Sequence, residues 1–130
     1  MPQQEIETIL ARQLASYLAM PIFIVDPNGN LAYYNEPAEG ILGLRFEETG
    51  EMPANEWATI FQPQDDAGNT IAPEGLPLWT ALVERRAGQR DFWITGFDGK
   101  RRHISVTALP LIGQANRFVG AMAIFWELAA

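Results

Sequence analysis

The stretch from Ile22 to Gly43 constrains the fold more than any other part of the chain. Two short apolar runs, Ile22 to Val25 and Leu31 to Tyr34, flank Asp26-Pro27-Asn28-Gly29. Gly and Asn adopt positive φ at little steric cost and Pro presets φ for a turn, so the two runs read as strands of one hairpin. The chain then enters a short helix, Glu36 to Leu42, closed by Gly43. Near the other end, Phe92 to Leu111 reads as a second hairpin around Asp98-Gly99.

The elements between and around these hairpins follow from periodicity. Ile6, Ile9, Leu10, Leu14, Tyr17 and Leu18 recur at spacings of three and four, which predicts an amphipathic helix over Gln3 to Ala19, ended by Pro21. It is too short for a self-standing coiled coil, so its stripe must cover its own domain, a partner chain, or both. Arg45 to Gly75 carries Pro, Asn, Asp and Gly at intervals and predicts only single-turn helices, one around Asn55 to Phe61. Pro73 to Arg86 predicts a proper helix with Leu76, Trp79, Leu82 and Val83 on one face. Three strands finish the chain: Arg90 to Phe97, Arg101 to Leu109 and Arg117 to Glu127. There is no repeat or linker, so residues 1–130 are expected to form a single domain.

Bulk properties exclude several functions. A net charge of −7 argues against a nucleic-acid partner, whose affinity rests on neutralising phosphates with Lys and Arg. The absence of cysteine rules out disulfides, thiolate metal sites and thiol nucleophiles, and fits a reducing cytoplasmic setting. No run approaches the ~20 apolar residues of a membrane span, and the N-terminus lacks the pattern of a signal peptide, so no membrane partner is expected.

Chemistry-bearing motifs are sparse. The single histidine, His103, alternates with Ile104 and should point away from the core, with no second group marking it as a catalytic base. Asp26 to Asn30 has the opening of a calcium loop, but Leu31 stands where that loop needs Gly and Pro37 where it needs Glu. It reads as a turn, and Asp65-Asp66 as a solvated tip. No metal is expected. Arg85, Arg86 and Arg90, with Lys100, Arg101 and Arg102, form either a partner patch or solvated element ends. Trp57, Phe61 and Trp79 either wall a pocket over the sheet or plug the core.

The order of these features resembles the PAS domain family, over about residues 20–128. The features are the strand ending at Asp26 with Gly29, Asn35 before the first short helix, Asp98-Gly99, Pro110-Leu111 and Gly120. The resemblance implies an α+β fold: a five-stranded antiparallel sheet in the order 2-1-5-4-3 with helices over one face, here preceded by an N-terminal flanking helix, residues 3–19. It implies a sensory and signal-transduction module, not an enzyme, that commonly dimerises and works with an output domain or signalling protein. It also narrows the cofactor. Flavin-binding relatives place amide side chains where Ile94, Ile104 and Met122 stand, and haem-binding relatives use a histidine on the helix matched by Pro73 to Arg86, which has none. Neither haem nor flavin is expected. The remaining candidate is a small apolar ligand.

Aligned this way, Ile94, Ile104, Val106, Ala108, Met122 and Ile124 should face the helices, and with Trp57, Phe61 and Trp79 they give the candidate pocket. Trp93, His103, Val119, Ala121, Ala123 and Phe125 should lie on the outer face. A homodimer interface is expected from Ile6, Leu10, Leu14, Tyr17 and Leu18 against Ala121 and Phe125. Two alternatives stay open: a small α+β enzyme of ketosteroid-isomerase type using the same pocket, and a structural dimerisation unit with a filled core.

Overall fold

The computed structural model describes residues 20–128, so the predicted helix Gln3 to Ala19, with Ile6, Leu10, Leu14, Tyr17 and Leu18, lies outside the described residues. Strands β1 (Ile22–Val25) and β2 (Leu31–Tyr34) form the expected hairpin. The Asp26 carboxylate accepts the backbone N–H groups of Asn28 and Asn30 at 2.9 and 3.0 Å, and Gly29 takes φ 88°. Asp26 is thereby committed to the turn.

Asn35 explains the abrupt start of helix α1 (Glu36–Leu42). Its side-chain oxygen accepts the N–H of Ala38 at 3.2 Å, capping the helix, and that of Ile22 at 2.9 Å. Its amide donates to the Met20 carbonyl at 2.8 Å, so one buried side chain joins the helix to the entry of β1. Gly43 ends α1 at φ 84°, and a Cβ there would lie 2.7 Å from the Asp98 backbone nitrogen. Helices α2 (Phe46–Thr49) and α3 (Ala54–Ile60) follow.

The segment from Pro73 is not the single helix that its periodicity predicts. It comprises a 3-10 turn (Pro73–Gly75), the short helix α4 (Pro77–Trp79) and a π turn (Thr80–Glu84) ending at Arg85, φ 55°. Pro77 is the cause of the break. A residue before proline is driven out of the α region, and Leu76 is extended at φ −91°, ψ 143°.

Strands β3 (Gly88–Thr95), β4 (Arg101–Ile112) and β5 (Phe118–Glu127) complete an antiparallel sheet in the order β2-β1-β5-β4-β3, as expected. β4 runs through Pro110 to Ile112, beyond the predicted end. β3 stops opposite Ala108, so Pro110 lies where β4 has no neighbour on that side. Gly120, φ 135°, is required in β5, because a Cβ would collide with the Val25 carbonyl oxygen.

The pairing corrects one set of faces. Val106 stands opposite Phe125 and Ala108 opposite Ala123, and cross-strand partners share a face. Ala121, Ala123 and Phe125 therefore join the main core under the helices, not the outer surface. Met122 and Ile124 lie on the opposite face with Ile22, Ile24, Tyr33 and Leu111. Val119, also expected outside, is buried at the irregularity where β4 and β5 shift register.

Candidate functional site

The core is not completely filled. Between the sheet and α1, α3 and α4 lies an apolar cavity of about 80 Å³. β1 contributes Phe23, β3 Phe92 and Ile94, β4 Ile104 and Val106, and β5 Ala123 and Phe125. The helical side contributes Leu42, Trp57, Ala58, Phe61, Leu76, Pro77 and Leu78. Of the residues singled out by sequence, Trp57, Phe61, Ile94, Ile104 and Val106 meet at this cavity. Met122 and Trp79 do not. Met122 faces the other way by the parity of β5, and Trp79 lines a separate groove instead. Phe23, Phe92, Ala123 and Phe125 were missed. Phe23 and Phe92 carried a usable signal, since each alternates in register with a residue that faces the helices.

Among the described residues no lining side chain is titratable, so the site offers dispersion and shape instead of charge. Its one potential donor is occupied. The Trp57 indole N–H donates to the Gly29 carbonyl at 2.7 Å, and the ring meets Phe23 edge-on, with centroids 5.7 Å apart. That bond fixes α3 to the β1–β2 turn. Tyr34 does the same for α2. Its hydroxyl donates to the Leu44 carbonyl at 2.7 Å and lies 3.2 Å from Thr49 Oγ1, while burial pushes its pKa up.

Trp57 and Ala58 also border a second space on the exterior. This groove, about 390 Å³, runs between the β1–β2 turn (Pro27, Asn28, Gly29), Pro73 and Glu74, and Trp79, Leu82 and Val83. The helical face expected to carry Leu76, Trp79, Leu82 and Val83 is thus split. Leu76 lines the interior and the other three line the groove.

The outer sheet face carries its own cluster. Trp93 stacks on His103, with centroids 4.5 Å apart and planes 12° apart, and the Arg101 guanidinium lies 4.1 Å over the indole. Trp93 Nε1 donates to Asp66 Oδ1 at 3.1 Å, and the same oxygen is 3.7 Å from His103 Nε2. The cationic residues do not form one patch. Arg85 lies over Phe118, Arg86 pairs with Glu84, and Arg90 donates to the Gly75 carbonyl. Arg102 donates to the Ile41 carbonyl and to both oxygens of Asp98, which holds the Asp98 carboxyl well below its usual range, at about 2.

Among the described residues no group of three or more His, Asp or Glu is placed to hold a metal, and no helix is long and apolar enough to cross a membrane.

Comparison with known proteins bears on the fold. A family model described as PAS fold matches residues 16–130. A PAS domain of a protein from Colwellia psychrerythraea superposes with a TM-score of 0.65 at 17% identity, covering 95% of this chain and 98% of that one. The LOV protein of Rhodobacter sphaeroides gives 0.74 at 15% identity, over 96% and 69% of the two chains. The PAS domain of nitrogen regulation protein NR(II) from Vibrio parahaemolyticus gives 0.62 at 16% identity, over 92% and 98%. None of the curated proteins matches the chain in sequence.

Proposed function

The chain belongs to the PAS fold family, and from that premise we propose that it is a sensory module whose interior cavity takes a small apolar ligand. The observation that carries this reading is the cavity itself: a void of about 80 Å³ walled wholly by apolar and aromatic groups. Drug-sized ligands occupy roughly 300–1,000 Å³. The space therefore suits a molecule of a few heavy atoms. Haem and flavin are too large for it, and among the described residues no histidine or amide side chain lines it. Acid–base catalysis has no titratable group to work with there, which supports a sensor over an enzyme of ketosteroid-isomerase type.

The module acts as a homodimer in the cytoplasm and passes its state to an output domain or signalling protein. Support comes from the outer sheet face, where Ile22 and Ile24 are flanked by Tyr33, Leu111, Met122 and Ile124. The segment Gln3 to Ala19, whose periodicity predicts an amphipathic helix, and its symmetry mate are the partners proposed for that face. Ile22 and Ile24 are already buried, and covering the half-buried Tyr33, Leu111, Met122 and Ile124 returns about 25 cal/mol per Å² of apolar area. Ligand occupancy then shifts the population of packings on the far side of the same sheet.

Native mass spectrometry of gently purified protein, against the denatured chain, tests the ligand. Xenon or benzene should also bind and shift the NMR signals of Ile104 and Phe125. Absence of both a retained small molecule and any such shift overturns the ligand reading and leaves a structural unit. For assembly, Leu14→Asp with Leu18→Asp should give folded monomers, and light scattering that finds a single-chain mass for the unmodified protein at high micromolar concentration ends the dimer.

A further inference from the structure

The exterior groove has a different chemistry from the cavity behind it. At about 390 Å³ it falls in the size range of small-molecule sites. Its walls combine two tryptophans with aliphatic groups: Trp57, then Trp79 at the end of α4, and Leu82 and Val83 on the π turn. Val83 is 59% exposed, so the groove keeps an apolar rim open to solvent. Among the described residues only one that lines the groove is charged, Glu74, and no Lys, Arg or His borders it. Among the described residues the Glu74 carboxylate has no ion-pair partner.

These features select one class of ligand. An indole face attracts cations through its quadrupole, and most strongly where the cation is weakly hydrated. A carboxylate beside it adds attraction of the same sign, and the chain's net charge of −7 repels anions from the whole surface. A neutral apolar ligand would leave Glu74 without a role, and an anion would oppose it. We propose that the groove is a binding site for a small alkylated ammonium, its cationic head beside Glu74 and its alkyl groups against Trp79 and Leu82. This site is separate from the interior cavity and does not depend on the cavity's being occupied.

The break at Leu76 is what creates the site. A continuous helix from Pro73 would carry Trp79, Leu82 and Val83 on the same stripe as Leu76, against the sheet. The extended Leu76 and the wider π turn place them instead around the open side of Trp57, facing the β1–β2 turn. π turns are rare and recur at functional sites.

Choline and its neutral carbon isostere, 3,3-dimethylbutan-1-ol, separate charge from shape. In a two-dimensional ¹H–¹⁵N NMR titration of the full chain at low ionic strength, choline should shift the signals of Glu74, Leu82, Val83 and the Trp79 indole saturably. The isostere should bind at least about fivefold more weakly, the worth of an exposed cation–π contact with a carboxylate beside it. Glu74→Gln, an exposed and nearly isosteric change, should weaken choline by a similar factor without moving the isostere. Trp79→Leu should abolish measurable choline binding while the remaining spectrum stays dispersed. Equal affinity for choline and the isostere overturns the proposal, as does an unchanged affinity in Glu74→Gln. Choline shifts confined to the interior residues Ile104 and Phe125 overturn it too. Xenon at the cavity reads out the interior site independently, so either site can fail alone.

Discussion

Val106→Ile tests whether the interior space is real. The void of about 80 Å³, at roughly 24 cal/mol per Å³, corresponds to about 2 kcal/mol of packing left unrealised when the cavity is empty. Val106 borders it from β4 and is 6% exposed, so the space beside it is the room available to an added methylene. Isoleucine keeps the β-branch that the strand favours. The gain expected is up to about 0.8 kcal/mol, the worth of one buried methylene, or a melting temperature higher by about 3 °C. Ile104→Trp asks for far more of the same space and should be close to neutral, with the cavity's capacity for xenon lost. Urea unfolding at a fixed m-value reads both variants. If Val106→Ile instead destabilises by about 1 kcal/mol or more with m unchanged, the interior is already close-packed. The ligand reading would then lose its physical basis.

Three further outcomes follow from the geometry. Asn35→Ala removes a helix cap and leaves the buried Ile22 N–H and Met20 carbonyl without their partner; a loss of about 2–4 kcal/mol is expected in denaturant unfolding. Phe125→Ala, on the core side of β5, should cost about 3–5 kcal/mol and enlarge the cavity, and a cost below about 1 kcal/mol would place that side chain on the surface after all. The Asp98 carboxyl, lowered to about 2 from 3.8 by the Arg102 guanidinium and then the Lys100 N–H, stabilises the fold only while ionised. Its contribution should be complete above about pH 4 and lost as pH falls through 2. Asp98→Asn should flatten that part of the urea-midpoint profile.

Local signals in the sequence were reliable where one residue type has one conformational use. The β1–β2 hairpin and α1 appear within the predicted bounds because Gly29 and Gly43 accept the positive φ their turns demand. The helix that periodicity predicts over Pro73 to Arg86 does not form as one piece, because Pro77 breaks the backbone whatever the pattern of apolar residues. β5 was harder. From Val119 to Phe125 both alternating sets are apolar or small, so a one-residue change of face leaves no contrast to read. Only the pairing with β4 resolves it. The interior cavity was legible in part for the same reason: β3 and β4 alternate clearly, and β5 does not. The groove was invisible, since it exists only through the break at Leu76.

One repeated turn carries a consequence for how the protein survives at high concentration. Asp65-Asp66-Ala67-Gly68-Asn69 folds like Asp26-Pro27-Asn28-Gly29-Asn30: in each the aspartate oxygen accepts two backbone N–H groups, and its own N–H reaches the closing asparagine carbonyl. The second copy is not decoration on a loop. It holds Gln64 against β3, where Gln64 and Trp93 exchange backbone hydrogen bonds at 2.9 and 2.8 Å. On the opposite side of the sheet, the Leu31 N–H is taken by the Met52 carbonyl. Both outer strands thus have part of their open hydrogen-bonding edge occupied by the chain's own loops, which denies a template to strands of other molecules. Weakening the Asp65 turn should leave the core intact and make the protein sticky: its failure would be seen as fibrils or precipitate long before it was seen as unfolding.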